Sequence, residues 1–516
     1  MDAPAKRVFS VSDAPAKRHL TLTNFSEGSM SRFDCAIHRS FRWDIATVFQ
    51  AVCCWSAVSS ATALSAGEPL VIHEWGTFTA LQDEKGVALP GINIDDEKLP
   101  EFCHNLSPWI LSNSYSIGDL RSRMMKGAPP KHPYVTLRLE TPVLYVHPPK
   151  DEKLPFQLDV EVAFHGGWLT EFYPHADAEA PGLKNGYFNF GPITAETVGK
   201  LTWKNVTVGA KTTGPETDAN VWLAPRKVAA TDLSVPPPTD RIKVTESERF
   251  LFYRGVAHRP VPLKVTHDEA RQEFTLFSQA DDVYGCKTSG KVPALWLVDI
   301  RTDGKVAFRT IDPVTISFQN PDPLVKVSSH FSESDYATDH LSKLRLIIHK
   351  ALVVDGLFDD EATAMLNTWE RAYFKSPGLR LFFLVPQTWT DAVIPLKVSR
   401  EAEIKRVMMG RIELISVEQR ALLKKLSALE STDYTWMRKI APSPNLEMFM
   451  AGRIDFGDLG VKIPDDYQTY LNLGRFRNAL ILYEQQVRPT PQLARFILGY
   501  ELFAGVVPGE KPKDAE

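Results

Sequence analysis

Cysteine is scarce in this chain, with five in 516 residues, and no two of them are spaced Cys-x-x-Cys. That excludes a zinc ribbon and a c-type haem attachment site. Glycine-rich signatures are missing too. There is no nucleotide-binding Gly-x-Gly-x-x-Gly, no complete Walker loop and no Gly-x-Ser-x-Gly nucleophile elbow, so the commonest nucleotide and hydrolase chemistries lose support. Excess positive charge is absent: 59 Lys and Arg stand against 63 Asp and Glu, for a formal net charge of -4. No basic block with interleaved aromatics occurs, which argues against a nucleic-acid partner. Beyond the N-terminal leader, no apolar run is long enough to span a membrane.

The leader is a segment of its own. Residues 2–7 and 13–18 carry the same Asp-Ala-Pro-Ala-Lys-Arg string, a polar repeat with no apolar period. Met30 offers a second start. Arg32, His38, Arg39 and Arg42 then precede a mostly apolar stretch over residues 45–55, and small residues follow up to Ala66. Positive, apolar, small is the order of a secretory signal peptide, here with cleavage after Ala63 or Ala66. The expectation is a periplasmic or secreted protein. Cys35, Cys53 and Cys54 would leave with the leader. Cys103 and Cys286 remain, either as one disulfide or as two separate buried thiols.

The chain therefore divides into a leader over 1–66, a β-rich domain over 67–330, an α/β domain over 331–507 and a loose polar tail over 508–516. The fold class is α+β, with an N-terminal β-sandwich-like antiparallel half followed by a C-terminal mixed α/β half. Residues 156–164 give the clearest strand: Phe156, Leu158, Val160, Val162 and Phe164 alternate with Gln157, Asp159, Glu161 and Ala163. His165-Gly166-Gly167 then reads as a turn into a second strand over 168–173, a hairpin. Pro142 marks an edge or a break in a strand over 135–146. After residue 336 the spacing becomes helical over 339–354, and Asp359-Asp360-Glu361 is an acidic helix start. Ser416 with Gln419 forms a capping box, and further helices are expected over 467–486 and 491–503.

The string His73-Glu74-Trp75-Gly76-Thr77-Phe78-Thr79 resembles the opening of a family of large uncharacterised bacterial proteins. Segments at 140–145, 167–174, 250–255, 379–386 and 407–413 are similar to others in that family. The resemblance implies no activity, because none is established for the family, and it assigns no catalytic residue.

Candidate functional residues follow from chemistry alone. His73 and Glu74 alternate on a strand and so face opposite ways, which makes a shared metal implausible. Glu74 falls on the apolar face of Ile72, Gly76, Phe78 and Ala80. A carboxylate there is paired with a cation or functional, and Gly76 leaves room beside it. Glu74, Glu171 and His165 are the catalytic candidates. Trp75, Tyr173, Arg254 and Glu140 are binding candidates, and His165 with His175 is the candidate metal pair, brought close by the expected hairpin. No cofactor is favoured, a divalent metal being the one these side chains could hold. For each candidate an ordinary structural role competes: a satisfied buried glutamate, polar residues at a strand end, an arginine packed at the core edge. Residues 94–98 hold a short acidic run without EF-hand spacing, which reads as a solvated loop. The functional expectation is a secreted or periplasmic binding or interaction protein whose β-rich face meets a partner or envelope component. The alternative is a secreted, metal-assisted hydrolase of an envelope or extracellular polymer.

Overall fold

A computed structural model describes residues 68–92, 99–105, 135–180, 193–194, 196–211, 214–237, 244–279, 289–317, 319–432, 434, 462–500 and 502. The leader, the acidic run at 94–98, Cys286 and the C-terminal tail lie outside these residues. Among the described residues, no helix is long and apolar enough to cross a membrane.

The protein has a mixed α/β fold built on one large, mainly antiparallel sheet, with helices concentrated in the C-terminal region. Its main strands are β1 (Val71–Gln82), β2 (Leu137–His147), β3 (Phe156–His165), β4 (Gly167–Tyr173), β5 (Val198–Val208), β6 (Leu251–Ala257), β7 (Leu295–Ile300), β8 (Val306–Ile311), β9 (Gly378–Val385), β10 (Leu396–Val398) and β11 (Glu403–Leu414). Their order across the sheet is β8-β7-β9-β11-β1-β2-β6-β4-β5-β3-β10. β1 pairs in parallel with β11, Val71 opposite Glu403 through Gln82 opposite Leu414. Leu263–Asp268 and Glu273–Ser278 form a small separate sheet with Pro323–Ser328.

This order puts residues from both sides of the expected 330/331 boundary into one sheet, since β9 and β11 lie between β7 and β1. Residues 65–516 accordingly form a single compact unit. It also places residues 379–386, 407–413, 73–79, 140–145, 250–255 and 167–174 on β9, β11, β1, β2, β6 and β4, which are six adjacent strands.

The expected hairpin at Gly166-Gly167 does not pair. β5 enters between β3 and β4, antiparallel to β3 and paired in register with β4 only where Gly167 meets Val198. The close approach needs a bare backbone: a Cβ on Gly199 would lie 2.7 Å from the Leu169 nitrogen. Pro142 sits at a bulge in a central strand, not at an edge. The β1–β2 register shifts there, and Thr141 takes a φ of 40°.

Both faces of β1 are buried, so polar alternation does not mark a wet face. Ile72, Phe78 and Ala80 join one apolar cluster with Leu139, Leu144 and Met408. On the other face Trp75 joins a second cluster with Tyr145, Phe252 and Phe382, and Leu81 joins a third with Trp168 and Val256. Helices α1 (His340–Val354) and α2 (Asp359–Thr368) cover the second cluster. Helices α3 (Val417–Ser427), α4 (Arg477–Val487) and α5 (Pro491–Gly499) cover the third. The Ser416–Gln419 capping box starts α3 as expected. The helix expected over 467–486 is two helices, because Gly474 takes a φ of 85° between Asp465–Leu471 and α4.

Candidate functional site

β1 separates its two ionisable side chains as strand geometry requires. Glu74 is completely buried on the first face and opposes Arg406 in register. Its Oε2 accepts from Arg406 Nε at 2.5 Å, and its Oε1 accepts from the Tyr253 hydroxyl. Arg406 is held further by Asp391 Oδ1 at 3.0 Å and by the Ile394 carbonyl. Gly76 leaves no vacant space: a Cβ there would lie 3.0 Å from Met408 Sδ and 3.1 Å from Pro142 Cγ. Glu74 thus anchors an arginine and does not meet Glu171 or Arg254, which lie on the other face.

His165 is also apart from the other candidates. It is exposed, and its Nδ1 lies 3.2 Å from the Ala392 carbonyl. His175 follows the far end of β4, about 20 Å away along an extended strand. The His165–His175 metal pair is therefore not formed, because the two residues flank opposite ends of β4 and the length of that strand separates them.

The second face gathers the remaining charged candidates into one row. Between the two apolar clusters, a belt of buried side chains crosses six strands: Arg380 on β9, Glu413 and Arg411 on β11, Thr77 and Thr79 on β1, Arg138 and Glu140 on β2, Arg254 on β6 and Glu171 on β4. Register explains the row. Thr79 opposes Arg411 on one side and Arg138 on the other, Thr77 opposes Glu140, Arg254 opposes Glu171, and Arg380 opposes Glu413. Arg138 Nη2 is 2.9 Å from Glu140 Oε1, and Arg475 Nη2 reaches the same oxygen at 2.8 Å from the segment before α4. Arg254 Nη1 lies 3.7 Å from Glu171 Oε2. Glu413 Oε1 accepts from Arg411 Nε at 2.5 Å and lies 3.2 Å from Arg380 Nε.

Among the described residues, this belt joins five arginines (138, 254, 380, 411 and 475) to three glutamates (140, 171 and 413). Burial raises the Glu413 carboxyl, but Arg380, Arg411 and Arg475 overcome it and hold the group below the usual carboxylate range. Burial likewise pushes the Arg380 guanidinium down to about 10, against the upward pull of Glu413. Arg380 also donates to the Ala372, Tyr373 and Ser376 carbonyls and so holds the π-helical turn Glu370–Lys375. That turn aims Tyr373 at the belt, where its hydroxyl meets Thr77 Oγ1.

Within the belt, Arg411 keeps idle donors among the described residues. It is 0% exposed, yet its Nη1 and Nη2 have no acceptor among the described residues. Thr79 Oγ1, directly across the pairing from Arg411, is likewise buried and without a partner there. A buried guanidinium fork with idle donors is expensive, and such groups ordinarily meet water, an ion or a ligand. A cleft lies near the Arg380 end of the belt. Arg475 and Gly378 line this cleft of about 1220 Å³ together with Arg477, Ser416 and Asn472. A Cβ on Gly378 would lie 3.0 Å from Arg380 Nη2, so the cleft wall adjoins the belt.

Two clusters have metal-ligand composition among the described residues. His73 Nδ1 and His147 Nε2 take the two oxygens of Glu361 at 2.7 and 2.9 Å. Glu361 also accepts from the Phe358 amide, as the third residue of the α2 start. Burial raises its carboxyl, but the histidine hydrogen bonds lower it below its ordinary value. The Phe358 ring packs against both imidazoles, so this trio ties the start of α2 to β1 and β2. The second cluster is His104, His175 and Glu246, beside Tyr173. Trp75 and Tyr173 serve as aromatic packing: Trp75 meets Trp369 edge-on at 5.3 Å, and Tyr173 packs on Phe102 at 4.9 Å.

Sequence reasoning thus found Glu140, Glu171, Arg254, Tyr173 and His175, and missed Arg411, Arg138, Thr79, His104 and Glu246. A signal for Arg411 was present: Arg411 and Glu413 alternate with Gly410, Ile412 and Leu414 in a run that reads as a buried strand.

No family model and no curated protein matches the chain. Solved structures that it resembles include the Fcho1 mu homology domain of Danio rerio with a bound Eps15 peptide, at 5% identity and a TM-score of 0.24, covering 67% of this chain and 95% of that one. Another is the yeast delta-COP-I mu-homology domain complexed with a Dsl1 WxWxV peptide, at 10% identity and a TM-score of 0.23, covering 67% and 96%. Likenesses this distant carry no argument about function.

Proposed function

We propose that this is an exported ligand-binding protein that holds an oxyanion of its ligand, a carboxylate or phosphate group, in the arginine belt. The observation that carries the reading is Arg411, fully buried with both terminal nitrogens lacking an acceptor among the described residues, opposite an equally unpartnered Thr79 hydroxyl. A guanidinium fork matches an oxyanion with two parallel hydrogen bonds, and low local polarity strengthens them. The surplus of arginine over glutamate favours an anion over a neutral group. Envelope polymers and their fragments carry such groups, which keeps this reading within the expected periplasmic or secreted setting.

The test is a melting-temperature screen of the purified chain against inorganic phosphate, sulfate, citrate and a neutral sugar. A saturable rise with at least one of the anions, none with the sugar, and loss of the rise in Arg411→Met are expected. Equal behaviour of wild type and Arg411→Met towards every anion would overturn the reading.

A second reading, a metal-assisted hydrolase, is favoured by one observation. Glu171 of the belt pairs in register with Asn105, the residue after His104 of the second histidine cluster. Turnover that falls about a hundredfold or more in Glu171→Gln with ligand binding retained would support it.

A further inference from the structure

We infer that His104, His175 and Glu246 form a divalent-metal site of the zinc class, separate from the arginine belt and independent of the oxyanion reading. Three elements converge there. His104 lies on the two-residue strand His104–Asn105, which adds to the free side of β4 opposite Phe172 and Glu171. His175 follows β4 after Pro174. Glu246 begins the short strand Glu246–Glu248.

Their ligand atoms point at one another. His104 Nε2 lies 2.8 Å from Glu246 Oε2 and 3.1 Å from Oε1, and His175 Nε2 lies 3.1 Å from Oε1. The two imidazoles are 4.6 Å apart between centroids. His175 Nε2 is buried and makes no hydrogen bond among the described residues, although it lies in ion-pair range of the carboxylate. Two donor atoms at this separation can share one tetrahedral ion.

The supporting shell has the form metal sites need. Glu246 Oε2 accepts the His175 backbone amide at 2.7 Å, which fixes the carboxylate. The His104 ring stacks on Phe172 at 5.2 Å, tilted 29°, which fixes its plane. His104 keeps a side-chain exposure of 29%, so an ion can enter and water can complete the coordination. Two imidazoles and one carboxylate with open positions suit Zn²⁺ and its transition-metal neighbours, and suit Ca²⁺ or Mg²⁺ poorly. The His73–His147–Glu361 trio is less open, with Phe358 against both rings and side-chain exposures of 6%, 14% and 0%.

The test is titration of the chelator-treated full chain with ZnCl₂ by calorimetry, repeated with Co²⁺ by visible absorption. His104→Ala, Glu246→Gln and His147→Ala are measured alongside, each with its metal-free melting temperature to establish folding. Wild type and His147→Ala are expected to bind one more equivalent than His104→Ala and Glu246→Gln. Equal stoichiometry in wild type and His104→Ala, including none in either, would overturn the site. So would loss of the equivalent in His147→Ala alone. Because anion binding through Arg411 is read separately, failure here leaves the oxyanion reading standing, and the reverse holds.

Discussion

Glu74 and Arg411 sit on the paired strands β1 and β11 but face opposite sides of the sheet, and their chemical situations are opposite. Glu74 is satisfied by Arg406 and Tyr253, so its replacement acts on stability alone. Glu74→Gln leaves the Arg406 charge buried and is expected to cost about 3–5 kcal/mol, whereas the double change Glu74→Leu with Arg406→Met is expected to cost much less. Urea denaturation of wild type and both variants checks this. Glu361 makes a pH prediction. Its carboxyl is held below its ordinary value by His147 and His73, so the folded chain binds fewer protons than the unfolded chain in the acid range. Its contribution is present at neutral pH and is lost as pH falls through the carboxylate range, about pH 5 downwards. Urea midpoints between about pH 6 and about pH 3 should therefore fall less steeply in His147→Ala than in wild type.

At the scale of elements, legibility followed locality. The strand β3 was readable because its alternation is complete and one of its faces is half exposed. The α3 start was readable because Ser416 and Gln419 cap it within a single turn. The Gly166-Gly167 hairpin was misread because β5, well further along the chain, takes the pairing position, and no local pattern records that. His104 and Glu246 were invisible for the same reason: each is one residue on a short strand, and only the pairing of distant segments joins them. Gly410 shows how tightly two such strands pack. A Cβ there would lie 2.1 Å from Phe383 Cζ on β9, and that ring is fully buried. Gly410→Ala is expected to destabilise by about 1–3 kcal/mol, and adding Phe383→Leu should recover part of the loss. Thermal denaturation of the single and double variants measures it.

For the whole molecule, the consequence of the topology is indivisibility. A sequence boundary near residue 330 suggests two domains, but β9 and β11 complete the sheet that β1 and β7 begin. Residues 68–330 expressed alone would expose both the β1 edge and the β7 edge and are expected to show no cooperative unfolding, while residues 65–516 melt as one unit. A cooperative melt of the shorter chain would contradict the single-sheet architecture. The same topology explains how much of the site could be read from the chain. Glu140, Glu171 and Arg254 stood out as charges on strands, but only the order β9-β11-β1-β2-β6-β4 reveals that they form one row with Arg411 and Arg138.

Whether this row holds an anion at Arg411 is decided by isothermal titration of citrate and of inorganic phosphate into wild type and Arg411→Met, at low and at high sodium chloride. Saturable one-site binding of at least one of the two anions by wild type is expected, weakened about tenfold or more in Arg411→Met, with Glu74→Gln binding like wild type. Absence of binding to both anions, or equal affinity in wild type and Arg411→Met, would contradict an oxyanion site in the belt.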